Sequence, residues 1–112
     1  MRLRIILAAA AIGLAHPAIA KDTRFWNLTS STVKSLELAP VDTNAFGPNQ
    51  CVNDPDGVVD HDERVKVTGV VTGVYLARLK FADGRTCLAR NVQIEAGKAF
   101  AIEDRDLSDC AK

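Results

Sequence analysis

The chain opens on an unbroken apolar run and then changes character. Ile5 to Leu14 is apolar throughout, with Arg2 and Arg4 before it and Ala18-Ile19-Ala20 after it. From Thr23 onward, short segments alternate apolar and polar positions with the two-residue period of half-buried strands. Thr23–Leu28 is the first. In Val33–Ala39, Leu36 and Leu38 fall on one face and Ser35 and Glu37 on the other. Arg64–Thr68 puts Val65 and Val67 inward. Val74–Phe81 aligns Tyr75, Ala77, Leu79 and Phe81 on one face, with Arg78 and Lys80 on the other. Arg85–Ile94 and Ala99–Glu103 complete the set. Asp83-Gly84 separates two strand-like arms, a strong hairpin signal because glycine accepts positive φ. Thr29–Ser31 and Glu95–Lys98 read as further turns. Val41–Glu63 reads as one long polar loop, a length that points to function or disorder. Asp104–Asp109 reads as a short helical turn with an acid at its start. The pattern predicts an all-β fold, a small antiparallel sandwich or partly open barrel of about six strands.

The basic start, apolar run and small-x-small ending of residues 1–20 have the form of a secretory signal peptide. The run falls short of the roughly 20 apolar residues that a membrane span needs. The expected organisation is therefore a leader, 1–20, and one small β domain, 21–112, periplasmic or secreted and without membrane attachment after cleavage. Cleavage also changes the charge. The whole chain has 14 basic and 14 acidic residues. The leader removes two arginines and no acid, leaving 12 against 14, about −2. That balance argues against a nucleic-acid partner. A domain of this size has a thin core and benefits from a covalent staple.

All three cysteines, Cys51, Cys87 and Cys110, lie beyond the leader. In an oxidising compartment two of them should pair. If the Glu95–Lys98 turn forms a hairpin, Ile94 faces Ala99 and Cys87 comes near Asp106, one short turn from Cys110. That favours Cys87–Cys110 and leaves Cys51 as a free thiol. The competing pairing, Cys51 with Cys110, would pin the long loop instead.

Candidate chemistry is sparse. His61 is the one histidine past the leader, so sites built on several histidines are excluded. It stands beside Asp60, Asp62 and Glu63, and no serine has the context of an activated nucleophile. Cys51 offers a thiol or redox function only if a base or positive charge activates it, and its neighbours in sequence are acids. The sharpest local feature is Val52–Glu63 (VNDPDGVVDHDE), which holds five of the fourteen acids. On a twelve-position calcium loop, Asp54 and Asp56 take positions 3 and 5, and Gly57 the sharp turn at 6. The Val58 carbonyl takes 7, Asp60 takes 9 and Glu63 the bidentate position 12. Position 1 is Val52 where an acid is required, and a strand-like RVKVT follows where a helix should stand. The competing reading is an Asp-Pro-Asp-Gly turn in a solvated loop. Asn27-Leu28-Thr29 matches a glycosylation sequon but sits on a strand and is read as structural. Phe25 and Trp26 are adjacent, so one should be core and the other should cover an edge.

Taken together, FWNLTSSTVKSLELAP, NQCVNDPDGVVDHDERVKVTGV, GVYLARLKFADGRTC and the closing DLSDC resemble a family of small exported proteobacterial proteins of unassigned function. The resemblance lies in motif order: an Asn-x-Thr strand turn, a Tyr- or Trp-centred strand, a DG hairpin and a terminal Cys. It implies export and an all-β fold, and it supplies no activity. The expectation is an exported, non-catalytic binding or structural module with a periplasmic or extracellular protein partner. A weak calcium module through the 52–63 loop and a thiol protein through Cys51 are the alternatives.

Overall fold

The computed structural model describes residues 21–112; the expected leader, residues 1–20, lies outside them. Seven strands form two open sheets. In chain order they are β1 (Thr23–Leu28), β2 (Val33–Pro40), β3 (Arg64–Val67), β4 (Gly73–Phe81), β5 (Thr86–Ile94), β6 (Ala99–Glu103) and β7 (Leu107–Ala111). A three-stranded sheet has the order β3-β1-β6 and a four-stranded sheet the order β2-β4-β5-β7. The expected all-β sandwich is what forms. Among the described residues no helix is long and apolar enough to cross a membrane.

The two-residue period decides which side chains meet between the sheets. Phe25 from β1, Leu36 and Leu38 from β2, Val65 and Val67 from β3, and Ala77 and Leu79 from β4 are all buried there. Phe100 and Ile102 join from β6, and the Phe25 and Phe100 rings lie 5.7 Å apart. Trp26, one residue on from Phe25, faces outward and is half-buried. Its indole Nε1 donates to Asp62 Oδ1 at 2.9 Å, and the Arg64 guanidinium lies 4.1 Å over its ring.

Two connections differ from expectation. Glu95–Lys98 is a turn, but it does not make a hairpin. It carries the chain from β5 in one sheet to β6 in the other, where β6 runs parallel to β1, Phe25 beside Phe100. Burial drives this crossing, because Phe100 and Ile102 reach the core only from the smaller sheet. The second difference lies at the end of the chain. The helical turn is confined to Asp104–Asp106, and Leu107–Ala111 is a seventh strand antiparallel to β5. Cys87 and Cys110 are disulfide-bonded as expected and Cys51 is free. The bond arises because β7 lies directly beside β5, not through a β5–β6 hairpin.

β5 carries irregularities against both neighbours. The register passes from Tyr75–Val92 to Ala77–Ala89, so Arg90 and Asn91 together face Leu76, with Asn91 at φ 56°. It also passes from Leu88–Ser108 to Thr86–Ala111, so Asp109 and Cys110 face Cys87, with Asp109 at φ 50°. Asparagine and aspartate are the non-glycine residues that best tolerate this left-handed conformation. Arg90 ties the two bulges together, donating to Asp109 Oδ2 at 2.7 Å.

Candidate functional site

The long connection between β2 and β3 is ordered by its own polar side chains. Asn49 stands in for a missing strand along β2. Its Oδ1 accepts from Leu36 N (3.0 Å) and Cys51 N (2.9 Å), and its Nδ2 donates to the Lys34 carbonyl (3.3 Å). A single 3-10 turn, Gln50–Asn53, follows. The Gln50 amide is buried and exchanges two hydrogen bonds with the Thr68 backbone; Asn53 Nδ2 donates to the Lys66 carbonyl at 2.8 Å. The free edges of β2 and β3 are both closed in this way, as edge strands require.

The proposed calcium ligands follow this turn but do not converge. Asp54 Oδ1 accepts from Asp56 N, and Asp56 Oδ1 from Val58 N, both at 3.1 Å. Val58 is half-buried, and the next residue, Val59, is tied to β2 by reciprocal backbone bonds with Val33. Asp60 Oδ1 accepts from the Thr32 hydroxyl at 2.7 Å, and Glu63 Oε1 from Asp60 N at 2.8 Å. Among the described residues, no group of three or more His, Cys, Asp or Glu side chains is gathered to hold a metal ion. The cause lies in β1. The Asn27 backbone N–H donates to the Glu63 carbonyl and the Asn27 carbonyl accepts from Asp62 N, fixing residues 60–63 to the strand end. Asp54 and Asp56 stay with the 3-10 turn. The hydrogen bond between these two carboxyls raises Asp54 above its ordinary range and lowers Asp56. About 10 mM calcium is expected to leave the melting temperature of wild type and Asp56→Ala unchanged within about 1 °C. A rise of several degrees in wild type alone would establish the site.

The two candidate catalytic side chains have separate structural partners. His61 is exposed, and its Nδ1 lies 2.7 Å from the Thr29 carbonyl, which fixes Nδ1 as the protonated nitrogen. Cys51 is fully buried in the core with its Sγ 3.7 Å from the Val33 carbonyl. Burial, and secondarily the Asp54 charge, pushes its thiol up from 9.0 to about 11, against the lowering effect of a backbone hydrogen bond from Leu36. A thiol held this way resists ionisation. Native Cys51 should therefore stay unmodified by iodoacetamide at pH 8 and react once the protein is unfolded. Its pKa is higher folded than unfolded, so the unfolded state releases the proton first. Stability should fall as pH rises from about 9 to about 11, and Cys51→Ala should remove that part of the slope.

The sequence marks Asn27-x-Thr29 as structural but does not reveal it as the most buried polar group. Asn27 and Thr29 have no exposed surface. Asn27 Nδ2 donates to the carbonyls of Ser31 (2.9 Å) and Val59 (2.8 Å), and Oδ1 accepts from the Thr29 N–H (3.0 Å) and hydroxyl (2.7 Å). One side chain thus joins β1, the β1–β2 turn and the β2–β3 loop. The signal was present as Asn-x-Thr inside a strand pattern. Its burial also makes that sequon a structural motif.

Compared with models of protein families, with curated proteins and with solved structures, the chain gives no match.

Proposed function

We propose that the chain is exported and that its β domain is a non-catalytic binding or structural module in an oxidising compartment. The commitment of every candidate reactive side chain to a structural partner carries this reading. The thiol of Cys51 is buried and kept protonated, His61 is fixed to a backbone carbonyl, and each carboxylate between Asp54 and Glu63 accepts a hydrogen bond. The Cys87–Cys110 disulfide is compatible with an oxidising compartment. The leader form of residues 1–20 and the likeness in motif order to small exported proteobacterial proteins support the same reading.

Expression in a bacterial host tests export. The expected product is a periplasmic protein whose intact mass begins at Lys21. Cytoplasmic retention with residues 1–20 still attached would overturn that part. The non-catalytic part fails if hydrolytic or redox turnover is found that His61→Ala or Cys51→Ala abolishes.

A further inference from the structure

The 3-10 turn at Gln50–Asn53 packs on both β2 and β3, and β5 lies against β6. The two sheets are therefore stacked with β2 and β3 on one side and β5 and β6 on the other. The four-stranded sheet then extends one strand further, to β7, while the three-stranded sheet stops at β6. Among the described residues, no strand fills the position beside β6, facing β7.

Three observations describe that position. The first is the β6 backbone. Arg24 N–H donates to the Lys98 carbonyl at 3.3 Å. In parallel register this turns the backbone groups of Phe100 and Ile102 toward β1 and those of Ala99, Ala101 and Glu103 away from it. The outward N–H of Glu103 is taken by Asp106 Oδ2 at 2.8 Å; Ala99 and Ala101 are left presenting an open strand edge. The second is β7. Leu107 and Cys110 lie beside the inward, fully buried Ala89 and Cys87, yet Leu107 is only half-buried and Cys110 is exposed. The third is a cleft of about 350 Å³ between the bulged half of β5 and β6, bounded at one end by Asp106.

Charge selects the occupant further. At that end, Glu103 and Asp109 are paired with Arg105 and Arg90, whereas Asp104 and Asp106 have no cationic partner among the described residues. A second copy is a poor occupant. Edge-to-edge pairing through β6 would drive its larger sheet into the space that β7 fills.

We propose that this position accepts a single extended peptide strand from a partner protein, completing the smaller sheet by β-augmentation. The strand pairs with Ala99 and Ala101, lays apolar side chains at alternating positions against Leu107 and the disulfide, and carries a lysine or arginine beside Asp104 and Asp106. The inference rests on sheet geometry and is independent of export.

The test uses two synthetic peptides, acetyl-Lys-Val-Thr-Val-Thr-Val-amide and the same peptide with Glu for Lys, titrated into the protein by nitrogen-15 NMR and fluorescence. The Lys peptide is expected to shift the amides of Ala99 and Ala101 and to bind about tenfold tighter than the Glu peptide. Ala101→Pro removes an outward N–H without touching the β1 ladder and should weaken binding about tenfold or more. Asp106→Lys should invert the preference between the peptides. Binding of neither peptide, or unchanged binding to both variants, overturns the proposal. So does a concentration-dependent dimer in sedimentation that Ala101→Pro abolishes, because a second copy would then be the occupant.

Discussion

Asn27→Ala is expected to destabilise the protein by about 3 kcal/mol, a large share of the roughly 5–10 kcal/mol that a domain of this size has. The Val59 and Ser31 carbonyls keep other donors, Val33 N–H and the Thr29 hydroxyl respectively. The Thr29 N–H has no such substitute. It stays buried without its acceptor, and the space vacated by the amide adds to the loss. Urea denaturation should show a lower midpoint at unchanged slope. Thr29→Val, which removes only a hydroxyl, should cost about 1 kcal/mol. A loss below 1 kcal/mol for Asn27→Ala would mean that the strand, turn and loop hold together without this amide.

Removing the disulfide is the other large change. Cys87 and Cys110 are separated by 23 positions, and closing a loop of that size stabilises by about 3 kcal/mol in the chain-entropy account. The Cys87→Ala/Cys110→Ala double variant should melt about 10–20 °C lower, using the usual dependence for small domains. Losses should concentrate in β7, whose other ties are its short ladder to β5 and the Arg90–Asp109 and Ser108–Leu88 hydrogen bonds, so its amides should exchange with solvent fastest. Unchanged stability would mean that the ladder and these side-chain bonds hold β7 without the disulfide. In wild type, alkylation in denaturant without reductant should modify one residue, Cys51.

Strands with clean alternation were legible from the sequence. Leu36 and Leu38 against Ser35 and Glu37, or the shared face of Tyr75, Ala77, Leu79 and Phe81, declare both element and orientation. The Asp83-Gly84 turn declares a hairpin because its chemistry is local. Glu95–Lys98 declares a turn with equal clarity but not the sheet that receives the next strand, since that choice depends on where Phe100 and Ile102 find a core. β7 was not legible as a strand. Leu-Ser-Asp-Cys-Ala has little alternation, and its place beside β5 comes from the ladder and the disulfide. The Asp54–Glu63 spacing read as a ligand set, yet spacing along a chain does not specify convergence. Residues 60–63 are drawn to the end of β1 while Asp54 and Asp56 stay just past the 3-10 turn. Asn27 escaped notice as a core residue because polarity ordinarily marks a surface position.

The parallel pairing of β1 with β6 has a kinetic consequence. β1 is the central strand of its sheet, and both neighbours come later in the chain: Thr23 pairs with Val67 and Arg24 with Ala99. No local hairpin can nucleate this sheet. Such non-local topology places folding on the slow, millisecond-to-second side of small domains. During synthesis, β1 waits unpaired until most of the chain has emerged.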